Sequence, residues 1–300
     1  MTRSARAPLR IDLAGGWTDV PAFADHEGGA VVNFTINRYV HASIDDAGAI
    51  IYAHDVRPGG LGSSACEHVL AAALRDPDAD LDDIAEAAFM AESVEGVVGG
   101  RQDQYVACYG GLNFMTFPTL AQRRAEEART GEPALPVRIE PLQLPEPAMK
   151  ALMDRLVLVG SGVERLSGEI HEDVWSAYAR HDDDVTGALL ALQQYGRAMR
   201  DALVASDFGG VRQVLFENWV QQKRLHESVT NDTVDALFER ALAAGATAGK
   251  ACGAGGGGAL VFYASSADAA TSVRRALSEV GAQIIDFAYE PEGLVDEGSE

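Results

Sequence analysis

Apolar residues alternate with polar ones, or run together as β-branched residues, in two stretches near the start of the chain. This pattern predicts strands over residues 8–14 and 30–44, separated by the glycine-containing polar turn 15–19. A third short strand is predicted over residues 50–53. After the glycine-rich segment 57–64, a run of good helix formers without a breaker predicts a helix over residues 65–74.

The remaining elements follow from the same periodicities. Apolar residues at helical spacing predict a helix over residues 80–96, which Gly99 and Gly100 end. The later strands are predicted at residues 109–117, 155–159, 259–263 and 283–289. The later helices are predicted at residues 166–180, 184–205, 208–227, 232–244 and 267–280. The last ten residues are expected to fray.

The grouping of these elements indicates the fold class. Strands cluster apart from the helices in both halves, which favours α+β domains over a doubly wound parallel sheet. Six prolines interrupt a charged stretch at residues 118–150, as is typical of a segment that connects the two halves of a chain. We therefore expect two domains, residues 1–150 and 151–300.

The composition of the chain indicates the cellular compartment in which we expect it. The chain is 47% hydrophobic, yet no stretch approaches the ~20 apolar residues that a membrane helix requires. Its first residues lack the apolar region of a signal peptide. The three cysteines are widely spaced, without the CxxC pair of a zinc or redox site. We expect a soluble cytoplasmic protein that does not bind membranes.

The net charge of −21 is the most unusual bulk property. Acidic residues are spread along the chain, and the sequence has no basic stripe of the kind that nucleic-acid binding requires. Lysine occurs only at positions 150, 223 and 250. Many carboxylates with so little lysine are typical of a protein that works in high salt, and equally of a GC-rich genome. Both interpretations stay open.

Two glycine-rich segments could bind phosphate. Residues 59–64 lie between a strand and a helix, where unpaired N–H groups and the helix dipole favour an anion. A glycine turn with a serine N-cap is the structural alternative. Neither a Walker A loop nor a GxGxxG dinucleotide motif is present. Residues 253–258 precede a strand, and they fit either a flexible turn or a backbone nest that closes over a ligand.

Taken in order, these segments resemble the GHMP kinase superfamily, which includes galactokinase, homoserine kinase and mevalonate kinase. The matching text is APLRIDLAGG at residues 7–16, GLGSSA at 60–65 and GAGGGG at 253–258. The flanks GGWTDVP (15–21), GGAV (28–31), GGRQDQY (99–105) and GGLNF (110–114) most resemble the sugar 1-kinases for D-glycero-D-manno-heptose 7-phosphate and L-fucose.

The resemblance implies a two-domain α+β fold and an ATP- and Mg²⁺-dependent sugar kinase. The N-terminal domain would bind ATP and have left-handed βαβ character, and the C-terminal domain would be ferredoxin-like. It also implies that Asp103 lies beside the acceptor hydroxyl, as base or orienting carboxylate, and that Arg10 pairs with it. The residues implied to hold ATP are Gly60, Leu61, Gly62, Ser63, Ser64, Gly255 and Gly256.

The remaining roles are also carried over from the resemblance. Ser64 and Glu92 would ligate Mg²⁺, although a one-residue slip would exchange Glu92 for Glu95. The residues implied to contact the sugar are Asp19, Trp17, Gly100, Arg101 and Gln102. From the residues alone, each position has a structural alternative: an Asx-turn on a loop for Asp103, surface charges for Arg10 and Glu92, and a core position for Trp17.

The acceptor sugar is open. A heptose 7-phosphate would need basic groups for its second phosphate, for which Arg38, Arg101 and Arg165 are candidates. A further set near the start of the first helix of the second half comprises Ser161, Ser167 and His171. An unphosphorylated sugar such as L-fucose is the alternative, and a homodimer is also open.

One departure from the family pattern weakens the kinase hypothesis. The stretch between His41 and Gly59 is short, whereas family members carry a longer insert there that helps shape the nucleotide-base pocket. A non-catalytic sugar sensor is therefore an alternative. The sugar-kinase flanks count against a diphosphate decarboxylase, and the absent GxGxxG counts against a nicotinamide oxidoreductase.

Overall fold

The computed structural model describes residues 3–95, 99–163 and 167–299. The strands are β1 (Arg3–Ala14), β2 (Gly29–Ile44), β3 (Ile50–His54), β4 (Leu112–Phe117), β5 (Arg138–Pro141), β6 (Leu156–Gly160), β7 (Ala246–Ala251), β8 (Ala259–Ala264), β9 (Gln283–Ile285) and β10 (Val295–Ser299). The helices are α1 (Pro21–Glu27), α2 (Ser63–Arg75), α3 (Leu81–Val94), α4 (Gln102–Tyr109), α5 (Leu120–Thr130), α6 (Glu146–Met153), α7 (Ser167–Ala179), α8 (Asp183–Val204), α9 (Phe208–Leu225), α10 (Asp232–Ala243) and α11 (Ala267–Glu279). A short 3-10 helix spans Glu227–Val229.

The first sheet has six strands, in the order β10-β1-β2-β4-β5, with β3 beside the other end of β2. The long strand β2 pairs with β1 along one edge and with β3 and β4 along the other. Both β3 and β4 are antiparallel to β2, so they run parallel to each other, with α2, α3 and α4 as the crossover. The left-handedness of this crossover stays a prediction.

The second sheet has four antiparallel strands in the order β7-β8-β6-β9. Strands β6 and β8 are buried along their whole length, as expected for central strands covered on both faces. The turn after β1 and helix α1 contribute to this second core, because Trp17 and Phe23 pack there with α7 and α8 residues. The N-terminal segment is therefore anchored to both sheets.

The α+β class is confirmed, and most predicted strands and helices are found. The predicted loop around Asp103 is wrong, because Asp103 lies in the first turn of α4. This helix is buried over residues 104–108 and includes the buried polar residues Gln102 and Gln104, so its polar and apolar positions show no amphipathic period to detect. The strand predicted from residue 109 begins at Leu112, since Gly110 and Gly111 have positive φ and separate α4 from β4.

The end of the chain is a second correction. Residues 295–299 form β10, paired antiparallel with the start of β1, instead of a frayed tail. The pairing joins residues almost 300 positions apart, so no local pattern could reveal it. The strand predicted over 283–289 is shorter and ends at Ile285.

Several described elements had no sequence prediction, namely α1, α4, α5, α6, β5, β7 and β10. Strand β7 was missed because it consists mainly of small residues, and it contains Lys250. Helix α5 lies inside the proline-rich stretch, where Thr119 and Gln122 form a complete capping box. The proposed boundary at residue 150 stays a prediction. Among the described helices, none is both long and apolar enough to cross a membrane.

Candidate active site

Arg10 and Asp103 form a bidentate ion pair at the centre of a cleft between the two sheets. Arg10 Nε donates to Asp103 Oδ1 at 2.6 Å, and a terminal guanidinium nitrogen donates to Oδ2 at 2.8 Å. Arg10 is almost fully buried, whereas the Asp103 side chain keeps a quarter of its surface exposed. Burial alone would lower the pKa of Arg10, but the charge and hydrogen bonds of Asp103 outweigh it and raise that pKa. Arg10 is therefore positively charged, and Asp103 lies on the accessible side of the pair.

The first glycine-rich segment begins α2 beside this pair. Arg10 Nη1 donates to the Gly60 carbonyl at 2.6 Å, and the Arg10 backbone N–H donates to the Leu61 carbonyl. Helix α2 has Gly62 in the left-handed region as its N-cap, and no side chain caps it. The first N–H groups of α2 are thus left for another acceptor, which is the arrangement that binds anions.

The second glycine-rich segment closes directly over the first. Ala259 N–H donates to the Gly59 carbonyl at 2.8 Å. A methyl group on Gly253 would lie 2.8 Å from Gly60 Cα, so only glycine permits this approach. The Gly256 and Gly258 N–H groups donate to the Val229 and Val163 carbonyls, which hold the loop in place. The two predicted phosphate loops therefore form one continuous wall of the cleft.

Ser64 and Glu92 meet at the start of α2. Ser64 Oγ donates to Glu92 Oε1 at 2.8 Å, and Gln104 Nε2 donates to Oε2 at 2.6 Å. Burial raises the pKa of Glu92. The alternative residue, Glu95, is mostly exposed and lies 3.5 Å from His68 instead. Of the two glutamates, Glu92 is the one that lines the cleft.

Asp19 organises the other end of the cleft. Its carboxylate accepts hydrogen bonds from the backbone N–H of Gln102 at 3.1 Å and from Gln102 Nε2 at 3.4 Å, at the N-terminus of α4. A methyl group on Gly100 would lie 1.8 Å from Asp19 Oδ2. Burial, with a smaller effect from the charge of Asp103, raises the pKa of Asp19 to about 7. A carboxyl group that titrates near neutral pH in a cleft is typical of a functional site.

Trp17 and His171 form the wall next to Asp19. Their rings stack with centroids 4.4 Å apart, and Trp17 also contacts Trp175. Trp17 has a φ of 80°, which is strained for a residue with a side chain. Burial lowers the pKa of His171 to about 4, so the imidazole is neutral at physiological pH. Trp17 therefore packs in the second core, and its contact with a sugar stays a prediction.

Sequence reasoning missed a second ion pair in the cleft floor. Lys250 of β7 donates to Asp12 Oδ2 at 2.8 Å and to the Asp12 carbonyl at 3.0 Å, and both side chains are buried. Asp12 follows Arg10 by two positions on β1, so the strand alternation places both on one face. In the sequence, only this alternation could have placed Asp12 beside Arg10. Nothing pointed to Lys250, because it is distant in sequence and lies in a strand that was not predicted.

The cleft that these residues enclose has a volume of about 440 Å³. Several predicted site residues lie outside its lining. Leu61 is buried in the core, and Gly256 does not reach the cavity. Arg101 pairs with Glu86 at 2.9 Å and covers the Phe89 ring instead.

The predicted second-phosphate residues are likewise not gathered in the cleft. Arg38 lies elsewhere and donates to its neighbouring Asn37 carbonyl. Arg165 and the Ser167 side chain lie outside the described part of the chain, and Ser161 bonds to Val163. His171 lines the cleft as a neutral ring.

Comparison with known proteins agrees with this geometry. Residues 199–283 match the family GHMP kinases C terminal. The chain is 27% identical to the D-glycero-alpha-D-manno-heptose 7-phosphate kinase of Campylobacter jejuni, with 98% of each chain covered. The chain is thus similar to the GHMP kinases in its C-terminal part and to a heptose 7-phosphate kinase over nearly its whole length.

Two further comparisons extend this assignment. The bifunctional fucokinase/GDP-fucose pyrophosphorylase of Arabidopsis thaliana is 24% identical, over 91% of this chain and 31% of that protein. A D-glycero-D-manno-heptose 1-phosphate kinase structure from Bacteroides thetaiotaomicron superposes with a TM-score of 0.74, covering all of both chains at 22% identity. This last likeness establishes the GHMP kinase fold.

Proposed function

We propose that the protein is an ATP-dependent sugar kinase that phosphorylates the anomeric hydroxyl of a heptose 7-phosphate or a related sugar. The observation that carries this proposal is the Arg10–Asp103 pair, which faces the joined glycine loops 59–64 and 253–258 across one cleft. Phosphoryl transfer depends on positioning and charge neutralisation more than on covalent chemistry by the protein. The cleft has groups suited to positioning and groups suited to charge neutralisation.

In this proposal, Asp103 accepts or orients the proton of the attacking sugar hydroxyl. Its exposed carboxylate edge faces the cleft, while Arg10 fixes the other edge by two hydrogen bonds. A bond then forms between the hydroxyl oxygen and the γ-phosphorus, and the bond from that phosphorus to the β,γ-bridging oxygen breaks. The positive charge of Arg10 lies where negative charge would develop.

Mg²⁺ is implied by the resemblance, and the donor set fits it. Mg²⁺ in kinases is held by one or two protein ligands together with substrate phosphates and water. Ser64 and Glu92, already hydrogen-bonded to each other, would hold it at the α2 N-terminus. The described residues contain no group of three or more metal-binding side chains. When bound, the ion would neutralise charge on the phosphates.

An unphosphorylated acceptor such as L-fucose is the second candidate. Among the described residues that line the cleft, the arginines are Arg10 and Arg57, and Arg10 is committed to Asp103. Arg38 and Arg101, which the sequence offered for a second phosphate, lie outside the lining. This observation favours an uncharged sugar, whereas the relatives favour a heptose phosphate. A kinase of either kind would act in the cytoplasm, where ATP is available.

An ADP-release screen tests the proposal directly. The purified protein is incubated with Mg-ATP and, separately, heptose 7-phosphate, L-fucose, L-arabinose or galactose. We expect sugar-dependent ADP release with at least one acceptor, and phosphorus NMR should show a phosphate on the anomeric carbon. The absence of turnover with every sugar, in a protein that still binds sugar, would instead support the sugar-sensor alternative.

A further inference from the structure

Three buried polar atoms in the acceptor end of the cleft have no hydrogen-bond partner among the described residues. They are Asp12 Oδ1, Trp17 Nε1 and His171 Nδ1. All three residues line the same cleft, beside Asp19. Buried polar groups almost always have a partner, because an unpaired one loses its bond to water without compensation. Three such atoms on one cavity wall therefore point to a ligand that supplies both donors and acceptors.

Each of the three side chains is held rigidly. Lys250 fixes Asp12 through Oδ2 and the carbonyl oxygen, so Oδ1 remains as the unused acceptor. Trp17 is 6% exposed and is held at positive φ between His171 and Trp175. Strained or buried groups of this kind recur where a binding site is preorganised.

The chemistry of the wall excludes a phosphate group as its ligand. His171 is neutral, and the carboxylates of Asp12 and Asp19 line the same end of the cleft. An anion placed there would be repelled by a carboxylate without gaining a cation, because Lys250 is already paired. Hydroxyl groups, which donate to Asp12 and accept from Trp17, fit all three atoms.

We propose that Asp12 and His171 are specificity-determining residues which, together with Trp17 already implied by the resemblance, bind uncharged hydroxyl groups of the acceptor sugar other than the one phosphorylated. The inference rests on the proposed kinase function and deepens it. A phosphate carried by the sugar would lie outside this wall. The residues thus select a polyhydroxyl segment by its pattern of donors and acceptors.

The test compares two conservative variants by steady-state kinetics. Asp12→Asn keeps the shape but presents an N–H where a hydroxyl would donate, and His171→Phe keeps a ring against Trp17 but removes its nitrogens. We expect each variant to raise the KM for the sugar about tenfold or more, with the KM for ATP changed less than twofold. A sugar analogue that lacks the recognised hydroxyl should be discriminated by the wild type and no longer by the matching variant.

Trp219→Phe is the matched control. Trp219 stacks on Phe238 and does not line the cleft, so the sugar KM of this variant should stay within twofold of the wild type. Thermal unfolding of all variants verifies that each is folded. Equal sugar KM values for the wild type, Asp12→Asn and His171→Phe would overturn the inference while leaving the kinase function intact.

A direct binding measurement separates the two proposals. If the wild type turns over no sugar, saturation-transfer NMR of the sugars in the ADP-release panel replaces the kinetics. Weaker binding in Asp12→Asn and His171→Phe, but not in Trp219→Phe, would then support the wall as a sugar site in a non-catalytic protein. Unchanged binding, or no binding to the wild type, would reject it.

Discussion

At the residue scale, the proposed chemistry depends on a carboxylate that is both fixed and accessible. Asp103 uses one edge to bind Arg10, and its other surface faces the cleft. An amide in this position would lose the negative charge and one of the two acceptors for Arg10. The substitution should not disturb the glycine loops, because Arg10 contacts the first loop directly, through the backbone carbonyls of Gly60 and Leu61.

We therefore expect Asp103→Asn to lower kcat by roughly a thousandfold while ATP binding stays nearly unchanged. ADP release measures the first quantity and isothermal titration with ATP the second. Asp184→Asn is the matched control, because Asp184 pairs with Arg224 on the surface and is mostly exposed. Full activity in Asp103→Asn would remove this residue from the reaction.

Asp19 makes the stability of the protein depend on pH. Its pKa of about 7 in the folded protein exceeds the ordinary value of 3.8, because burial disfavours the charged form. Between those two pH values the folded state keeps a proton that the unfolded chain releases, so the free energy of unfolding falls as the pH rises. Above about 7 the full cost of the buried charge is present.

Asp19→Asn cannot titrate, so it isolates this effect. The free energy of unfolding of the wild type, relative to that of Asp19→Asn, should fall by roughly 2–3 kcal/mol between pH 5 and pH 8. Urea denaturation at the two pH values measures it. If the difference in the free energy of unfolding between the wild type and Asp19→Asn is the same at pH 5 and pH 8, Asp19 is ionised throughout this range.

At the scale of elements, the nucleotide wall depends on the contact between two loops that carry almost no side chains. A methyl group at Gly253 would meet the backbone of Gly60, which cannot rotate away as a side chain could. The loops would have to separate by several tenths of an ångström. The N–H groups at the start of α2 would then no longer face the same point as those of the second loop.

Gly253→Ala should accordingly raise the KM for ATP by about tenfold, with a smaller effect on the KM for the sugar. Gly187→Ala is the control, because Gly187 lies in helix α8 with open space around it, where alanine costs nothing sterically. An ATP KM in Gly253→Ala equal to that of the control would show that the loops do not act together on the nucleotide.

The elements that the sequence predicts best are those with a local period. Helix α8 repeats its apolar residues at helical spacing, and its prediction over 184–205 was off by one residue at each end. Strand β1 was predicted over 8–14, where its alternation is clear, but it begins already at Arg3. Strand β7 is made of small residues, α4 is buried on nearly all sides, and β10 pairs with the opposite end of the chain. Motif resemblance supplied Arg10, Asp103 and Ser64, whereas Asp12, Lys250 and the position of His171 required the fold.

At the scale of the whole molecule, one buried ion pair links the two sheets. Lys250 belongs to β7 in the four-stranded sheet and Asp12 to β1 in the six-stranded sheet. The cleft lies where these sheets meet, and the pair forms part of its floor. Breaking a buried pair from one side is costly, because the remaining charge has neither water nor a partner.

Lys250→Met removes the ammonium group while roughly keeping the side-chain volume, and it leaves Asp12 buried and unpaired. We expect it to lower the free energy of unfolding by about 3–5 kcal/mol, measured by urea denaturation at neutral pH. The double variant Asp12→Leu/Lys250→Met should recover much of this loss, since it leaves no lone charge. Arg240→Met breaks an exposed pair with Glu279 and should cost less than about 1 kcal/mol. If Lys250→Met costs no more than Arg240→Met, the junction between the sheets is held by apolar packing alone, and Asp12 needs no lysine to stay in the cleft floor.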